Sequence, residues 1–244
     1  MPFVKFLLDS SSLFYYYFLM LAHEHKLYGK KSSKNIIIFL GFGLSQKYGP
    51  FLGRLFSAYG YQAHVYYYSS KILGDSAEAF EKNTEKIIDS ALKIITTDKK
   101  KKNEWYVFGT SFGSIMALAL ANKSPKVKKT VLNLCPFNLA ETISSWSTKN
   151  ALIKEILTFK KSLIKKSLTT SPHTQTSHLQ NNDVLYFSSL HDHIFPHTQS
   201  KKLQKELEKS SRNIISVVNK KHGHILSEAI NIFRYDTYLN FLKS

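Results

Sequence analysis

The 244-residue sequence contains few cysteines and few acidic side chains. Cys135 is the only cysteine, which excludes an intramolecular disulfide and a cysteine-based metal cluster and favours a reducing compartment. The 17 acidic residues are outnumbered by 34 basic ones, which gives a net charge of +17, but only three of the basic residues are arginine. Because phosphate and base recognition favours the guanidinium group, and no nucleic-acid-binding motif is present, we predict no nucleic-acid partner.

The sequence also lacks an apolar run long enough to cross a bilayer. The apolar and aromatic run at residues 13–22 is ten residues long, about half of what a spanning helix needs. Asp9, the serines at 10–12 and the missing small-x-small cleavage site argue against a signal peptide. We therefore predict a cytoplasmic protein. Its excess of lysine leaves peripheral attachment to an anionic lipid surface open.

Buried strands and amphipathic helices alternate along the chain. Continuous apolar runs typical of strands covered on both faces lie at 35–45, 61–70, 104–110, 129–135, 183–189 and 213–219. Helical spacing of apolar residues occurs at 76–97, with Asp75 and Ser76 as candidate caps, and at 198–211 and 227–243. This alternation predicts an α/β fold with a mainly parallel, doubly wound sheet and helices on both faces.

One interval interrupts the alternation. Residues 136–182 contain no strand signal, and 149–168 have the spacing of an amphipathic helix with lysines on one stripe and apolar residues on another. This insertion is either a lid over a site or a helix packed on the edge of the core. We predict one core domain, formed by 1–136 and 183–244 with 1–34 of uncertain structure, and a helical cap at 137–182.

Ser111 lies between glycines in the segment Gly109-Thr110-Ser111-Phe112-Gly113, a GxSxG pattern. A predicted strand precedes the segment and a predicted helix follows it. A sharp turn between strand and helix lifts a serine hydroxyl clear of the sheet, and it needs glycine-sized neighbours to let the backbones pass. The pattern alone occurs by chance, but in this context it predicts a nucleophile rather than a purely structural turn.

A serine nucleophile needs a base and an acid that orients the base. His224 follows the last predicted strand, at the carboxyl edge of the sheet, and is the predicted base, with His222 as the fallback. Asp192 follows the strand at 183–189 and is the predicted acid, and Glu141 is a weaker second candidate. The chain order is then Ser111, Asp192, His224, which is the order produced when a serine nucleophile follows a strand of such an α/β sheet.

His191, Asp192, His193 and His197 form a histidine-rich cluster that could also be read as a metal site. Established zinc signatures have fixed ligand spacings on regular elements, and none of them occurs in this sequence. We therefore predict neither a metal nor a cofactor.

Four ordered motifs resemble those of the α/β-hydrolase fold family over residues 35–244. They are the IIIFLGFGLS segment, which resembles the family's HGxG loop, the GTSFG nucleophile elbow, the SLHDHIFP acid loop and the HGHILSE histidine loop. The resemblance implies that the backbone N–H groups of Phe42 and Phe112 form an oxyanion hole, with Gly41 and Gly43 beside the former. Two departures are Leu40, where many relatives have histidine, and Ser189, where a glycine often begins the acid loop.

The resemblance implies a serine hydrolase that cleaves a carboxylic ester or thioester through an acyl-enzyme. A cationic cap could dock an acidic carrier protein or an anionic lipid, which would make the activity that of an acyl-carrier or CoA thioesterase or an acyltransferase. The alternative from another class is a non-catalytic binding module at an anionic surface, although such modules commonly lack one of the three residues. The sequence leaves the acyl chain, the leaving group and the oligomeric state open.

Overall fold

A computed structural model gives the fold of the chain. It describes residues 23–41, 44–68, 72, 74, 76–99, 102–144 and 168–244. These residues form the strands β1 (His23–Tyr28), β2 (Lys34–Phe39), β3 (Gln62–Tyr68), β4 (Glu104–Thr110), β5 (Val127–Asn133), β6 (Asp183–Ser189) and β7 (Asn213–Asn219). The last six correspond to the six apolar runs of the sequence, because a strand covered on both faces carries apolar side chains on both.

The seven strands of the described residues form one sheet in the order β1-β3-β2-β4-β5-β6-β7. Every neighbouring pair from β3 to β7 is parallel, and only β1 is antiparallel, at the edge beside β3. The prediction of a mainly parallel α/β sheet is therefore confirmed. β1 was not among the predicted runs, because its sequence HEHKLY is largely polar and its outer edge is unpaired within the described chain.

Helices cover both faces of the sheet. They are α1 (Leu44–Ala58), α2 (Ala77–Thr97), α3 (Phe112–Lys123), α4 (Leu139–Ser144), α5 (His197–Ser210), α6 (His224–Ile232) and α7 (Tyr235–Lys243). Ile88 of α2 and Met116 of α3 belong to one buried cluster, and Leu52 of α1 and Leu239 of α7 belong to a second one. None of these described helices is long and apolar enough to cross a membrane.

The predicted helix at 227–243 is two helices in the structure. α6 ends at Ile232 and α7 begins at Tyr235, although neither glycine nor proline marks the break. The Tyr238 hydroxyl donates a hydrogen bond to the Ile232 carbonyl at 2.9 Å, which satisfies an acceptor at the end of α6. Leu239 and Leu242 are then buried in the second cluster. The break is thus stabilised by tertiary packing, which helical periodicity does not reveal.

The other predicted elements agree in part with the described residues. α2 begins one residue after its predicted start, and the hydroxyl of Ser76 accepts a hydrogen bond from the Ala79 N–H at 3.2 Å as its N-cap. Asp75 lies outside the described residues. Within the predicted cap at 137–182 the structure describes α4 and a 3₁₀ turn at Pro172–Thr174, whereas 145–167, which include most of the predicted amphipathic helix, lie outside them.

The predicted motifs follow strands that end at one edge of the sheet. Gly41 comes after β2, Ser111 directly after β4, Asp192 after β6 and His224 after β7. Because these strands are parallel, all four residues are brought to the carboxyl edge, where open α/β sheets bind their ligands. This edge contains the candidate site.

Candidate active site

Ser111 lies in a strained turn between β4 and α3. Its φ of 50° and ψ of −121° are unusual for a residue with a side chain, at a cost of order 1–3 kcal/mol. Ser111 occupies the N-cap position of α3, but its hydroxyl makes no capping hydrogen bond. The Ser111 Oγ instead lies 2.8 Å from the Nε2 of His224. The turn therefore directs the hydroxyl towards the imidazole.

The two elbow glycines make room for this turn. A Cβ on Gly109 would lie 2.5 Å from the Cβ of Ala117 and 2.6 Å from the Cα of Ser114. A Cβ on Gly113 would overlap the carbonyl of Phe39. Both positions are closed to any larger residue because backbone or helix atoms occupy the space. The two glycines of the GxSxG pattern are thus required by packing.

His224 is the first residue of α6, and its imidazole is buried between Ser111 and Asp192. The His224 Nδ1 lies 2.7 Å from the Asp192 Oδ2, and the side chains of this pair are only 3% and 1% exposed. The ring of Phe195 meets the imidazole edge-on, with the ring centroids 4.8 Å apart. With Nδ1–H donating to Asp192, Nε2 carries the lone pair that faces the Ser111 hydroxyl.

Asp192 is held by its own loop. Its Oδ1 accepts hydrogen bonds from the backbone N–H groups of Ile194 at 2.9 Å and Phe195 at 2.7 Å, which leaves Oδ2 for the imidazole. The structure therefore brings the predicted nucleophile, base and acid into one chain of hydrogen bonds.

A second set of contacts ties the acid loop to the histidine loop. The hydroxyl of Ser189, one of the two departures from the family pattern, donates to the carbonyl of His222, as does the hydroxyl of Ser227 at 2.9 Å. The side chain of Asn219 accepts hydrogen bonds from the N–H groups of Lys221 and His222. His222, the fallback base, thus contributes main-chain groups to the loop, while His224 bonds to both Ser111 and Asp192.

The predicted oxyanion hole is only partly described. Phe42 and Gly43 lie outside the described residues, so the role of the Phe42 N–H stays a prediction. A Cβ on the buried Gly41 would lie 3.0 Å from the Cβ of Ser111 and 3.5 Å from its Oγ, so the main chain at Gly41 lies directly against the serine side chain. Phe112 is the first residue of α3, which puts its N–H at the positive end of the helix dipole.

Leu40, which stands where many relatives have histidine, is held in place through a hydrogen bond to its main-chain carbonyl. The buried hydroxyl of Tyr68, at the end of β3, donates a hydrogen bond to the Leu40 carbonyl. Burial raises the pKa of the Tyr68 hydroxyl well above its ordinary value, so it remains a donor throughout the accessible pH range. This contact braces the Gly41 loop without a histidine at position 40.

Glu228 is a buried carboxyl group in the site that was not predicted from the sequence. The hydroxyl of Thr110 donates a hydrogen bond to Glu228 Oε1, and the main-chain carbonyl of Glu228 accepts one from Asn133 Nδ2 at 3.1 Å. Burial raises the pKa of this carboxyl above its ordinary value, although the nearby His224 acts in the opposite direction. Its only signal in the sequence was that it is the one acidic residue of this helix, one turn after His224.

The remaining candidates lie elsewhere. Glu141 is an exposed residue whose carboxylate accepts hydrogen bonds from Gln199 at 2.7 Å and Lys202 at 3.2 Å, and these bonds lower its pKa.

The histidine-rich cluster around Asp192 is not arranged as a metal site. Both oxygens of Asp192 are engaged by protein groups, and the side chains of His191 and His193 are exposed. In the part of the chain that the structure describes, no three histidine, cysteine or acidic side chains are grouped to hold a metal ion.

Solved structures with this architecture define the class as the α/β-hydrolase fold. An acylaminoacyl peptidase of Pyrococcus horikoshii superposes with a TM-score of 0.65 at 14% identity over 96% of this chain, which spans 43% of the peptidase's length. An esterase of Pyrococcus furiosus gives 0.63 at 12% identity, covering 91% and 90% of the two chains. A monoacylglycerol lipase of Paleococcus ferrophilus gives 0.58 at 15% identity, covering 90% and 98%. At these identities the likeness concerns the fold alone.

The family follows from the sequence itself. The sequence pattern of the prolyl oligopeptidase family matches residues 81–244, which is more than half of the chain and includes Ser111, Asp192 and His224. The chain therefore belongs to the prolyl oligopeptidase family, a family of serine hydrolases with the α/β-hydrolase fold. No curated protein sequence matches this chain significantly.

Proposed function

We propose that the protein is a serine hydrolase that cleaves a carboxylic ester or thioester with Ser111 as nucleophile. The observation that carries the proposal is the continuous hydrogen-bond chain from the Ser111 Oγ through His224 to Asp192, with distances of 2.8 and 2.7 Å. The strained backbone of Ser111 supports it, because strain of this kind persists where the surrounding structure maintains a functional geometry.

The reaction has two halves. In the first, Ser111 Oγ attacks the acyl carbonyl while His224 Nε2 takes the hydroxyl proton, and Asp192 stabilises the imidazolium that forms. The N–H groups of Phe42 and Phe112 stabilise the oxyanion. The tetrahedral intermediate collapses, the leaving group takes the proton from His224, and the acyl group remains on Ser111. In the second half, His224 takes a proton from water, which attacks the acyl carbon. The C–Oγ bond then breaks as His224 returns the proton to Ser111 Oγ, which releases the carboxylic acid and the free serine.

Apolar side chains around the histidine favour an apolar acyl group. Ile225 and Leu226, directly after His224, are 66% and 51% exposed, and Leu190 in the acid loop is also exposed. Exposed apolar residues that cluster beside a site are typical of surfaces that bind apolar ligands. The segment 137–182 would cap this surface, in agreement with its position after β5. An acidic carrier protein or anionic lipid that presents the acyl chain would suit the net charge of +17.

Hydrolysis of an acylated peptide is the second candidate. It is favoured by membership of the prolyl oligopeptidase family, and one of the similar structures is an acylaminoacyl peptidase. This chain spans only 43% of that peptidase's length. In amide hydrolysis the departing amine must receive a proton from His224, a requirement that is stricter than for the alcohol or thiol released from an ester or thioester.

Turnover of matched substrates tests the proposal. We expect hydrolysis of p-nitrophenyl butyrate and of butyryl-CoA, little hydrolysis of acetyl-alanine p-nitroanilide, and a loss of at least about 10⁴-fold in Ser111→Ala. Preference for the anilide would favour the peptidase. No turnover of any of these substrates by the folded protein would favour a non-catalytic module. If added salt lowers the rate of hydrolysis of a carrier-bound acyl substrate but not that of the small ester, the natural substrate is presented by an acidic carrier.

A further inference from the structure

Glu228 connects three of the four motifs at the candidate site. It lies on α6 one turn after His224, its Oε1 accepts a hydrogen bond from Thr110, and Thr110 directly precedes Ser111. The same oxygen lies 2.8 Å from the point where a Cβ on Gly41 would be, and that point is 3.0 Å from the Ser111 Cβ. The carboxyl group is thus packed between the nucleophile elbow, the Gly41 loop and the histidine helix.

Packing alone does not account for a carboxyl group at this position. Glu228 is 4% exposed, and a buried carboxyl group is less favourable than an apolar side chain of similar volume unless all of its hydrogen bonds are made. Its neighbours on the buried side of α6 include Ile232, which belongs to the second apolar cluster. An acid retained in such surroundings is typical of a residue that serves the site.

We propose that Glu228 is a positioning residue, whose carboxyl group, held by Thr110 and packed against Gly41, fixes the main chain at Gly41 beside Ser111. The proposal rests on the proposed function, because the loop it positions carries the predicted oxyanion donor Phe42. A displacement of such a donor by about 1 Å can cost about 100-fold in rate. Glu228 acts through the loop and need not touch the substrate.

The protonated form suits this role. A carboxylate packed against Gly41, next to Ser111, would repel the negative charge that develops on the substrate oxygen. Burial, which raises the pKa of Glu228, favours the uncharged acid. The other charged or titratable groups near it are His224, Asp192, Tyr48 and Tyr68. Glutamine, which is uncharged and nearly the same shape, should therefore replace Glu228 with little loss.

The test compares Glu228→Gln and Glu228→Ala, with Ile232→Ala as the matched control. Ile232 is buried on the same helix one turn further on and carries no polar group, so its truncation destabilises α6 without removing the hydrogen bond between Thr110 and Glu228. The readouts are the melting temperature, kcat and KM for p-nitrophenyl butyrate, and the rate at which a fluorophosphonate labels Ser111. Labelling uses the same hydroxyl and oxyanion site and does not depend on the natural substrate.

We expect Glu228→Ala to lower kcat and the labelling rate at least about 30-fold with KM changed less than about threefold. Glu228→Gln should keep both rates within about threefold, and Ile232→Ala should lose stability but keep both rates. Equal rates in Glu228→Ala and Ile232→Ala would overturn the proposal, as would a loss in Glu228→Gln as large as that in Glu228→Ala. Failure of the proposed function is distinct, because the natural protein would then neither turn over substrate nor be labelled.

Discussion

Gly113→Ala tests whether the close packing of α3 on β2 sets the geometry of the site. The new Cβ would overlap the Phe39 carbonyl and lie 2.7 Å from the Leu40 nitrogen, and neither backbone group can move without shifting the strand or the helix. Overpacking of this kind costs up to about 3 kcal/mol. The better helix propensity of alanine returns at most about 1 kcal/mol, so the net loss is about 2 kcal/mol.

The matched control is Gly60→Ala, at the turn before β3 and therefore at the opposite edge of the sheet from the candidate site. Gly60 has φ +84°, and no atom lies within 4 Å of the position that a Cβ would occupy. Alanine there meets backbone strain but no overlap, at a cost of about 1 kcal/mol. In a chain of this length 1 kcal/mol corresponds to about 2–4 °C in melting temperature. We expect Gly113→Ala to melt about 4–8 °C lower and Gly60→Ala about 2–4 °C lower than the natural protein.

Activity separates the two variants more strongly. In Gly113→Ala, relief of the overlap moves Ser111 or the Leu40–Gly41 segment, and a shift of about 1 Å should lower kcat about 100-fold. Gly60→Ala should leave kcat unchanged. Thermal unfolding followed by circular dichroism and hydrolysis of p-nitrophenyl butyrate provide the two measurements. The reasoning is refuted if Gly113→Ala is as stable and as active as Gly60→Ala.

Three further predictions concern titratable groups. Burial lowers the pKa of His64 from 6.5 to about 4, so the unfolded chain binds more protons between these values, and the free energy of unfolding should fall by up to about 3 kcal/mol as pH drops from 6.5 to 4. Urea midpoints of the natural protein and His64→Phe check this, since the variant should lose less stability over that interval. Asp192→Asn should lower kcat about 10⁴-fold in steady-state assays while the protein remains folded. Burial raises the pKa of Cys135 to about 12, so iodoacetamide should modify it only after unfolding, as mass spectrometry would show.

The buried elements were the easiest to predict from the sequence. β2 to β7 are continuous apolar runs, because parallel strands covered on both faces leave no alternative pattern. β1 was not predicted, since an edge strand with polar side chains resembles a loop in sequence. α1 was also not predicted, because it contains Pro50 and two glycines, Gly49 and Gly53, that pack directly against the rings of Tyr67 and Tyr28. Such packing depends on residues distant in the chain.

The residues of the candidate site also fall into those that could be predicted from the sequence and one that could not. Ser111, Asp192 and His224 were predicted because each follows a recognisable strand, and parallel strands bring their carboxyl ends together. Glu228 was missed because its partners Thr110 and Gly41 are more than 100 residues away in the sequence. Local pattern thus predicts the residues at strand ends, whereas the residues that pack behind them require the folded chain.

Covalent labelling of Ser111 tests the central claim most directly. The natural protein and the Ser111→Ala, His224→Gln and His222→Gln variants are treated with a fluorophosphonate, and the intact mass and modified peptide are determined. We predict one adduct per natural chain, on Ser111, no adduct in Ser111→Ala, slow labelling in His224→Gln and unchanged labelling in His222→Gln. A folded natural protein that takes up no label, or takes it up on another residue, would contradict the account.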